Sequence, residues 1–394
     1  MHKKLFLLIP AFALLAFILI RMFTAPTELA LTTTLKLPDF PNLAETLPQN
    51  LTEKVAVAID GQLAYANTDA PQPTASTAKI LLALMVMEQR PFALGETGET
   101  IEITQEFYDL YAWYITNGGS YTTVQIGEQI TEYDALASVL LPSSNNMADT
   151  LAIWAFDGLE NYRTYATQRL TDWGITDYTV GTDASGFSES TTASVGTLAL
   201  LGQKLMNSPV LADIVGKTAH TVPVAGTIEN TNQLLGVRGI LGIKTGFIGD
   251  PSGYCLVSAY RDGNHLITLA VLDAPTRADS FATTETLIDT LQSTLKDTPI
   301  ADTSTEIAHY DSWWTGPIPI KLEADASALG WAGATQEISL TMSSSDPASG
   351  TLNLALGGTS YSFPVTADPF AAKPSLIDRF LYALYLKKPQ ILQK

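Results

Sequence analysis

Eight consecutive apolar residues, 80–87, directly follow the segment Thr-Ala-Ser-Thr-Ala-Lys at residues 74–79. This run predicts a buried helix that begins close to Ser76, with Lys79 one turn further along on the same face. Ser76 would then lie among unpaired backbone N–H groups at the positive end of the helix dipole. Lys79, held partly out of water, would have a lowered pKa and could act as a base. The segment therefore predicts a serine nucleophile that needs no histidine.

A serine three residues before a lysine is a short pattern, and a serine that precedes an apolar helix is more often only an N-cap. Two further polar motifs supply context. Pro142 ends a predicted helix and is followed by Ser143-Ser144-Asn145-Asn146, a loop that can direct short polar side chains into a cleft. Further along, Lys244-Thr245-Gly246 stands where a loop leads into a predicted strand.

Charge and composition exclude several classes of function. Forty acidic and 22 basic residues give a formal net charge of -18, which disfavours nucleic acid as a partner because phosphate binding needs a basic surface. The four histidines have no partner at metal-ligand spacing, so we expect neither a metal site nor a cofactor. The single cysteine, Cys255, excludes an intramolecular disulfide and lies in an apolar run, where a small core residue is expected.

Composition changes along the chain predict five segments. Residues 1–25 form a signal peptide or signal anchor, and the Thr- and Pro-rich residues 26–50 form a tether. A catalytic domain spans 51–297, and Thr-, Ser- and Gly-rich residues 298–366 form a small β-rich domain. Residues 374–394 form an amphipathic C-terminal helix.

The two ends of the chain predict contact with a membrane. Lys3 and Lys4 precede an apolar run, and because no A-x-A cleavage site follows, we favour an uncleaved anchor over a removed signal. The chain would then be exported to the extracytoplasmic face of the cell membrane, with both lysines in the cytoplasm. The C-terminal helix is too short to span a bilayer, so it either lies at the interface or docks on the β-rich domain.

Taken together and in this order, the three motifs resemble the S-x-x-K, S-x-N and K-T-G elements of penicillin-binding proteins and serine β-lactamases. The flanking residues 140–143, 230–232 and 242–246 are similar to the D-alanyl-D-alanine carboxypeptidase branch, and the resemblance covers roughly residues 50–295. It implies an α+β fold with a β-lactamase/transpeptidase-like catalytic domain that combines an antiparallel sheet with a helical subdomain. A small all-β C-terminal domain would follow.

The resemblance also assigns the catalytic roles. Ser76 would attack the substrate carbonyl and form an acyl-enzyme, and Lys79 would accept its proton. Ser143 would relay a proton to the leaving amine, and Asn145 would bind the substrate amide and hold Lys79. The backbone N–H groups of Ser76 and Phe247 would form the oxyanion hole.

Substrate binding is assigned in the same way. Lys244 and Thr245 would hold the terminal carboxylate of the substrate, and the charge of Lys244 would also help to lower the pKa of Lys79. Gly246 would leave room for the substrate beside the strand edge. Arg277 stands where the family often supplies an arginine to that carboxylate, although a solvated surface arginine is an equal alternative.

The implied activity is removal of terminal D-alanine from peptidoglycan stem peptides that end in D-Ala-D-Ala, with β-lactams as acylating inhibitors. Three alternatives remain at this stage. A D,D-endopeptidase would use the same site, and a serine β-lactamase shares the three motifs, although no E-x-x-L-N stretch is apparent. A penicillin-sensing module would be acylated without turnover.

Overall fold

The computed structural model describes residues 2–25, 29–249, 253–367 and 373–384, with side chains from residue 13 onward. In chain order its helices are α1 (His2–Phe23), α2 (Leu43–Thr46), α3 (Lys79–Gln89), α4 (Gln105–Thr116), α5 (Glu132–Leu140), α6 (Asn145–Phe156), α7 (Leu159–Asp172), α8 (Val195–Met206), α9 (Pro209–Val215), α10 (Arg277–Thr294) and α11 (Leu376–Ala383).

The strands belong to one five-stranded sheet, one six-stranded sheet and several two-stranded pairs. They are β1 (Ala30–Thr33), β2 (Lys54–Ile59), β3 (Gln62–Ala66), β4 (Gln72–Pro73), β5 (Thr100–Glu102), β6 (Gln129–Thr131), β7 (Thr192–Ala193), β8 (Ala219–Val222), β9 (Gly226–Glu229), β10 (Gly242–Phe247), β11 (Tyr254–Asp262), β12 (His265–Ala274), β13 (Thr298–Ala301), β14 (Glu306–Asp311), β15 (Ile318–Leu322), β16 (Ala326–Ala328), β17 (Gln336–Met342), β18 (Ser349–Leu356) and β19 (Thr359–Ala367).

The five-stranded sheet is antiparallel throughout, in the order β10-β11-β12-β2-β3. Two of its hairpins turn at an Asp-Gly pair, β2–β3 at Asp60-Gly61 and β11–β12 at Asp262-Gly263. Nearly every residue of β12 is buried, which explains its continuous apolar sequence, because a strand covered on both faces gains nothing from alternation.

Helices α8 and α10 cover the two faces of this sheet. Side chains that alternate along β2 divide between them: Ala56 and Ala58 belong to the core on the α8 side, and Val55 and Val57 to the core on the α10 side. Gly202 lets α8 approach closely, because a Cβ there would lie 2.8 Å from side chains of both β11 and β12. The sheet is therefore the middle layer of a sandwich.

A helical subdomain extends the α8 side of the sheet. Helices α3, α5 and α6 are buried along most of their length and pack together in one apolar core. The predicted apolar run after Lys79 is this α3, which is apolar on nearly all sides because other helices surround it. The catalytic motifs meet where this subdomain contacts the edge strand β10.

The segment after residue 297 forms strands β13–β19, and most of them join a six-stranded antiparallel sheet in the order β1-β14-β15-β19-β18-β17. Its buried side chains, together with Trp331 from the segment between β16 and β17, belong to the same apolar core as α10 and the outer face of the five-stranded sheet. The two sheets are therefore joined by a shared hydrophobic interface.

The prediction that residues 26–50 form a tether needs correction, because the described part of this segment is docked on the fold. Within its described part, β1 pairs with β14, and Phe40, Leu43 and Leu47 are buried in the core shared with the C-terminal strands. The Thr- and Pro-rich composition suggested a solvated segment, but burial of these apolar side chains stabilises the docked arrangement. Residues 30–47 are therefore part of the folded body.

Helix α11 begins with the capping box that Ser375 and Asp378 predict, and it contacts α1. The guanidinium of Arg21 lies 4.8 Å from the ring centre of Tyr382, and Trp313 packs against the same ring. Among the described residues, no helix combines the length and the hydropathy of a bilayer span. Much of the proposed targeting segment, residues 1–12, and residues 385–394 of the proposed amphipathic helix lie outside the described side chains.

Candidate active site

Ser76 lies in a single 3-10 turn, residues Ala75–Ala78, that leads directly into α3. A 3-10 helix has three residues per turn, so side chains three residues apart are aligned. This alignment explains why the Ser76 hydroxyl faces Lys79, the first residue of α3. Ala75 has a left-handed backbone, with a φ of 48°, and it is completely buried, so the surrounding structure holds the turn in place.

Lys79 is fully buried, and its Nζ has three neighbours. It lies 2.9 Å from Ser76 Oγ, 2.7 Å from Asn145 Oδ1 and 2.7 Å from the Ser185 backbone oxygen. The last two atoms are carbonyl oxygens, which only accept hydrogen bonds. A neutral amine has two N–H groups and one lone pair, so when both N–H groups bind these oxygens, the lone pair faces the Ser76 hydroxyl.

The electrostatics of the pocket favour this neutral amine. Burial lowers the pKa of Lys79 to about 7, although Asp183 and Asp149 act in the opposite direction. Lys244 is also fully buried, and its pKa is lowered well below the usual lysine value by burial first, and then by Lys79 and Arg277. Near neutral pH, a substantial fraction of Lys79 is therefore unprotonated and able to accept a proton.

The loop between α5 and α6 places the second motif as predicted. Ser143 has a left-handed backbone, with a φ of 69°, and Ser144 caps α6 by accepting a hydrogen bond from the Met147 N–H. Asn146 fastens the loop through two hydrogen bonds with the backbone of Thr122. Asn145 is the first residue of α6, so its side chain reaches back to Lys79.

The third motif lies on β10, the edge strand of the sheet. Lys244 Nζ donates to its neighbouring Thr245 carbonyl, and the Thr245 hydroxyl lies 2.6 Å from that of Thr231. A Cβ built on Gly246 would lie 3.1 Å from the backbone nitrogen of Ser76, so glycine permits the close approach of β10 to the turn that carries Ser76.

A cleft of about 160 Å³ joins these elements. Its lining comprises Ser76, Ser120, Pro142, Ser143, Thr231, Thr245, Gly246, Phe247, Tyr254, Cys255, Arg277 and Ser280. Phe247 is half exposed and stacks on Tyr254, with ring centres 4.2 Å apart. Arg277, the first residue of α10, is exposed at the same cleft. Every residue that we proposed for the site is thus in this lining or buried directly behind it.

Three contributors to the lysine pocket were not predicted. The Ser185 carbonyl binds Lys79, Asp149 binds the backbone N–H of Ala184, and Tyr114 donates to Asp149. Two signals in the sequence pointed to them. Asp149 is an acidic residue in a helix that is otherwise buried, four residues after Asn145, and residues 183–187 combine an aspartate, a serine and a glycine in one turn.

Comparison with known proteins identifies the family. Residues 44–276, more than half of the chain, match the family described as D-alanyl-D-alanine carboxypeptidase, a group of serine peptidases. A D-alanyl-D-alanine endopeptidase of Pseudomonas aeruginosa is 25% identical over 288 residues, which cover 67% of this chain and 85% of that protein.

Two solved structures are similar as well. The Streptomyces K15 DD-transpeptidase has a TM-score of 0.55 at 19% identity and covers 66% of this chain and 99% of its own. Penicillin-binding protein D2 of Listeria monocytogenes, solved in its ampicillin-bound form, has a TM-score of 0.50 at 25% identity and covers 62% and 98%. These similarities confirm the predicted α+β, penicillin-binding-protein-like fold. The chain therefore belongs to the D-alanyl-D-alanine carboxypeptidase family of serine peptidases.

Proposed function

We propose that this protein is a serine-type D-Ala-D-Ala carboxypeptidase that removes the terminal D-alanine of peptidoglycan stem peptides through an acyl-enzyme on Ser76. The observation that carries the proposal is the hydrogen bonding of Lys79. Two carbonyl oxygens take its N–H groups, and its remaining neighbour is the Ser76 hydroxyl.

In the acylation step, Ser76 Oγ attacks the carbonyl carbon of the penultimate residue, and its proton passes to Lys79 Nζ. The C–N bond then breaks, and Ser143, at the same cleft, gives its hydroxyl proton to the departing amine and takes the proton held on Lys79, so both side chains return to their starting state. Water later attacks the ester, Lys79 accepts a proton from that water, and it passes this proton to Ser76 Oγ as the ester C–O bond breaks, which restores both residues.

The backbone N–H groups of Ser76 and Phe247 supply the oxyanion hole in this proposal. The close approach of β10 to the Ser76 nitrogen supports it, because that approach brings the end of the strand beside the nucleophile. Loss of one such donor typically costs about a hundredfold or more in rate.

Lys244, Thr245 and Arg277 receive the substrate carboxylate. Arg277 and Thr245 both line the cleft, and the buried Lys244 precedes Thr245 on the same strand. A carboxylate is an acceptor only, so the guanidinium of Arg277, the hydroxyl of Thr245 and the amine of Lys244 complement it as donors.

A D,D-endopeptidase is the second candidate, because the P. aeruginosa relative carries that name. Both activities would use the same nucleophile and base, and they differ in the size of the leaving group. A β-lactamase is less well supported, because no glutamate lines the cleft within the described residues. A sensor without turnover would hold the acyl group, whereas the basic Lys79 provides a route to hydrolysis.

Two further proposals concern its surroundings. We place the enzyme at the extracytoplasmic face of the bacterial membrane, on the strength of the charged and apolar pattern of residues 1–25. We also expect β-lactams to acylate Ser76, and the ampicillin-bound form of the Listeria relative supports this expectation.

The test compares the wild-type protein with Ser76→Ala. Wild type should release D-alanine from a D-Ala-D-Ala peptide and take up fluorescent penicillin at a peptide that contains Ser76, as identified by mass spectrometry. Ser76→Ala should do neither. Labelling that survives the substitution would disprove the nucleophile, and cleavage of cross-linked dimers without release of terminal D-alanine would favour the endopeptidase.

A further inference from the structure

A buried carboxylate, Asp149, lies behind the lysine pocket without touching the Ser76 hydroxyl. It stands four residues after Asn145 on α6, so the two side chains project from the same face of that helix. Only 3% of Asp149 is exposed. A carboxylate so deeply buried is costly unless its oxygens are hydrogen bonded, which directs attention to its partners.

Each oxygen of Asp149 has a defined partner. Oδ2 accepts a short hydrogen bond of 2.6 Å from the Tyr114 hydroxyl, and Oδ1 accepts one of 2.9 Å from the backbone N–H of Ala184. The next residue in the chain is Ser185, whose carbonyl oxygen lies 2.7 Å from Lys79 Nζ. Asp149 is therefore connected to the base through one peptide unit.

The loop that carries this carbonyl is also fixed from within. Asp183 accepts hydrogen bonds from the backbone N–H groups of Ser185, Phe187 and Ser188. These bonds shape the loop but do not attach it to α6. The hydrogen bond between Asp149 and Ala184 provides that attachment.

We propose that Asp149 is a positioning residue: it binds the 183–187 loop to α6 so that the Ser185 carbonyl and the Asn145 side chain together orient Lys79. One face of α6 then positions both oxygens that accept from Lys79: Asn145 supplies its own side-chain oxygen, and Asp149 fixes the loop that carries the Ser185 carbonyl. The lone pair of the Lys79 amine is left to face Ser76. This inference rests on the proposed function, because it assigns a part in activating the nucleophile.

The charge of Asp149 has a second, opposite effect on the base. Burial raises the pKa of Asp149 to about 6, so the carboxyl is mostly ionised at pH 7, and its charge favours the ammonium form of Lys79. The titratable groups that face it are Tyr114 on α4, Tyr162 on α7, Asp183 and Lys79. Removal of the charge should therefore lower the pKa of Lys79, whereas removal of the hydrogen bond should misplace it.

Two substitutions separate these effects. Asp149→Asn keeps an oxygen for the Ala184 N–H but removes the charge, so the acidic limb of the acylation rate should move to lower pH by about half a unit or more. Asp149→Leu removes both, and the maximum rate should fall by about tenfold or more because the lysine is no longer held. Thr150→Val, a buried neighbour on the same helix, is the matched control and should leave rate and limb as in wild type.

The experiment measures second-order acylation by fluorescent penicillin against pH, with circular dichroism to confirm folding of each variant. The proposal is overturned if the maximum rate of Asp149→Asn, which keeps the hydrogen bond to the Ala184 N–H, falls as far as that of Asp149→Leu. It is also overturned if Asp149→Leu acylates at the wild-type rate. If the leucine variant does not fold, Asp149→Ala, which removes the same hydrogen bond to the Ala184 N–H, takes its place under the same criterion. Failure of the proposed function would look different, because wild type itself would then remain unlabelled.

Discussion

Two buried polar clusters in this protein treat a basic side chain in opposite ways. In the active site, Lys79 faces the carbonyl oxygens of Asn145 and Ser185, and its pKa falls to about 7. At the junction between the two sheets, His265 Nδ1 lies 2.6 Å from a carboxylate oxygen of Asp60, and the pKa of His265 is raised. Both bases are largely out of water, yet the pKa of one is lowered and the pKa of the other is raised.

The difference lies in the atoms that touch the base. Neutral carbonyl oxygens satisfy N–H groups without offsetting the cost of burying a charge, so burial dominates at Lys79. A carboxylate in direct contact stabilises the cation, so the hydrogen bond from His265 to Asp60 outweighs burial at the junction. The carboxylates near Lys79, Asp149 and Asp183, act only at a distance.

The two clusters serve different ends as a result. Asp60, in the β2–β3 turn, also accepts hydrogen bonds from the Leu266 N–H on β12 and the Thr359 hydroxyl on β19. It thereby ties the five-stranded sheet to the six-stranded one. The Asp60–His265 pair at the junction contributes stability, whereas Lys79, whose pKa is lowered, provides a base beside Ser76.

The largest effect on the acylation rate should come from placing a carboxylate in contact with Lys79, as Asp60 contacts His265 at the junction. Asn145→Asp places a carboxylate against Lys79 Nζ and should raise the lysine pKa by about one to three units. The neutral fraction of Lys79, and with it acylation by fluorescent penicillin at pH 7, should fall by about five- to five-hundredfold, and the acidic limb of the rate profile should move to higher pH. A pH–rate profile measures both changes.

Asn145→Ala is the control for this substitution, because it removes the carbonyl acceptor without adding charge. It should lower the rate but should not move the limb to higher pH. If the acidic limb of the acylation rate lies at the same pH in both variants, the atom of residue 145 that contacts Lys79 does not set the lysine pKa. The proposed difference between the two clusters would then be wrong.

A smaller effect is expected at the junction. Asp60→Asn should lower the free energy of unfolding by about 2 kcal/mol, the scale of a hydrogen bond between charged groups. The raised pKa of His265 adds stability that is fully present below about pH 6.5 and is lost as pH rises through its folded value. The lowered pKa of Asp60 adds stability that is lost as pH falls below about 4, so the difference from wild type should peak between these limits.

The surface pair of His309 and Glu306, 2.9 Å apart, offers a matched control. Glu306→Gln should change the free energy of unfolding by less than about 1 kcal/mol, since exposed pairs contribute little. Urea denaturation of both variants across the pH range measures the difference. Equal losses of unfolding free energy in the two variants would show that burial of the Asp60–His265 pair adds no stability. A lower acylation rate per folded Asp60→Asn molecule would show that this pair also affects the active site.

Sequence reasoning reached the parts of the site that depend on local spacing. Ser76 and Lys79 are aligned by one turn, and Asn145 begins α6 because Pro142 ends the preceding helix, so short-range rules suffice. The contacts of Asp149 and Ser185 join segments 35 or more residues apart, and no local pattern encodes them. The tether predicted for residues 30–47 was wrong for the same reason. The strand with which β1 pairs, β14, lies far away in the sequence.

The central claim is that Lys79 is a neutral amine near physiological pH and removes the proton from Ser76. The most direct measurement is the rate of Ser76 acylation in wild type from about pH 5 to about pH 9, with the modified serine confirmed by mass spectrometry. The account predicts a rate that rises with pH through an inflection near pH 7. A rate that continues to rise toward the ordinary lysine pKa of 10.5, or that does not change across this range, would contradict it.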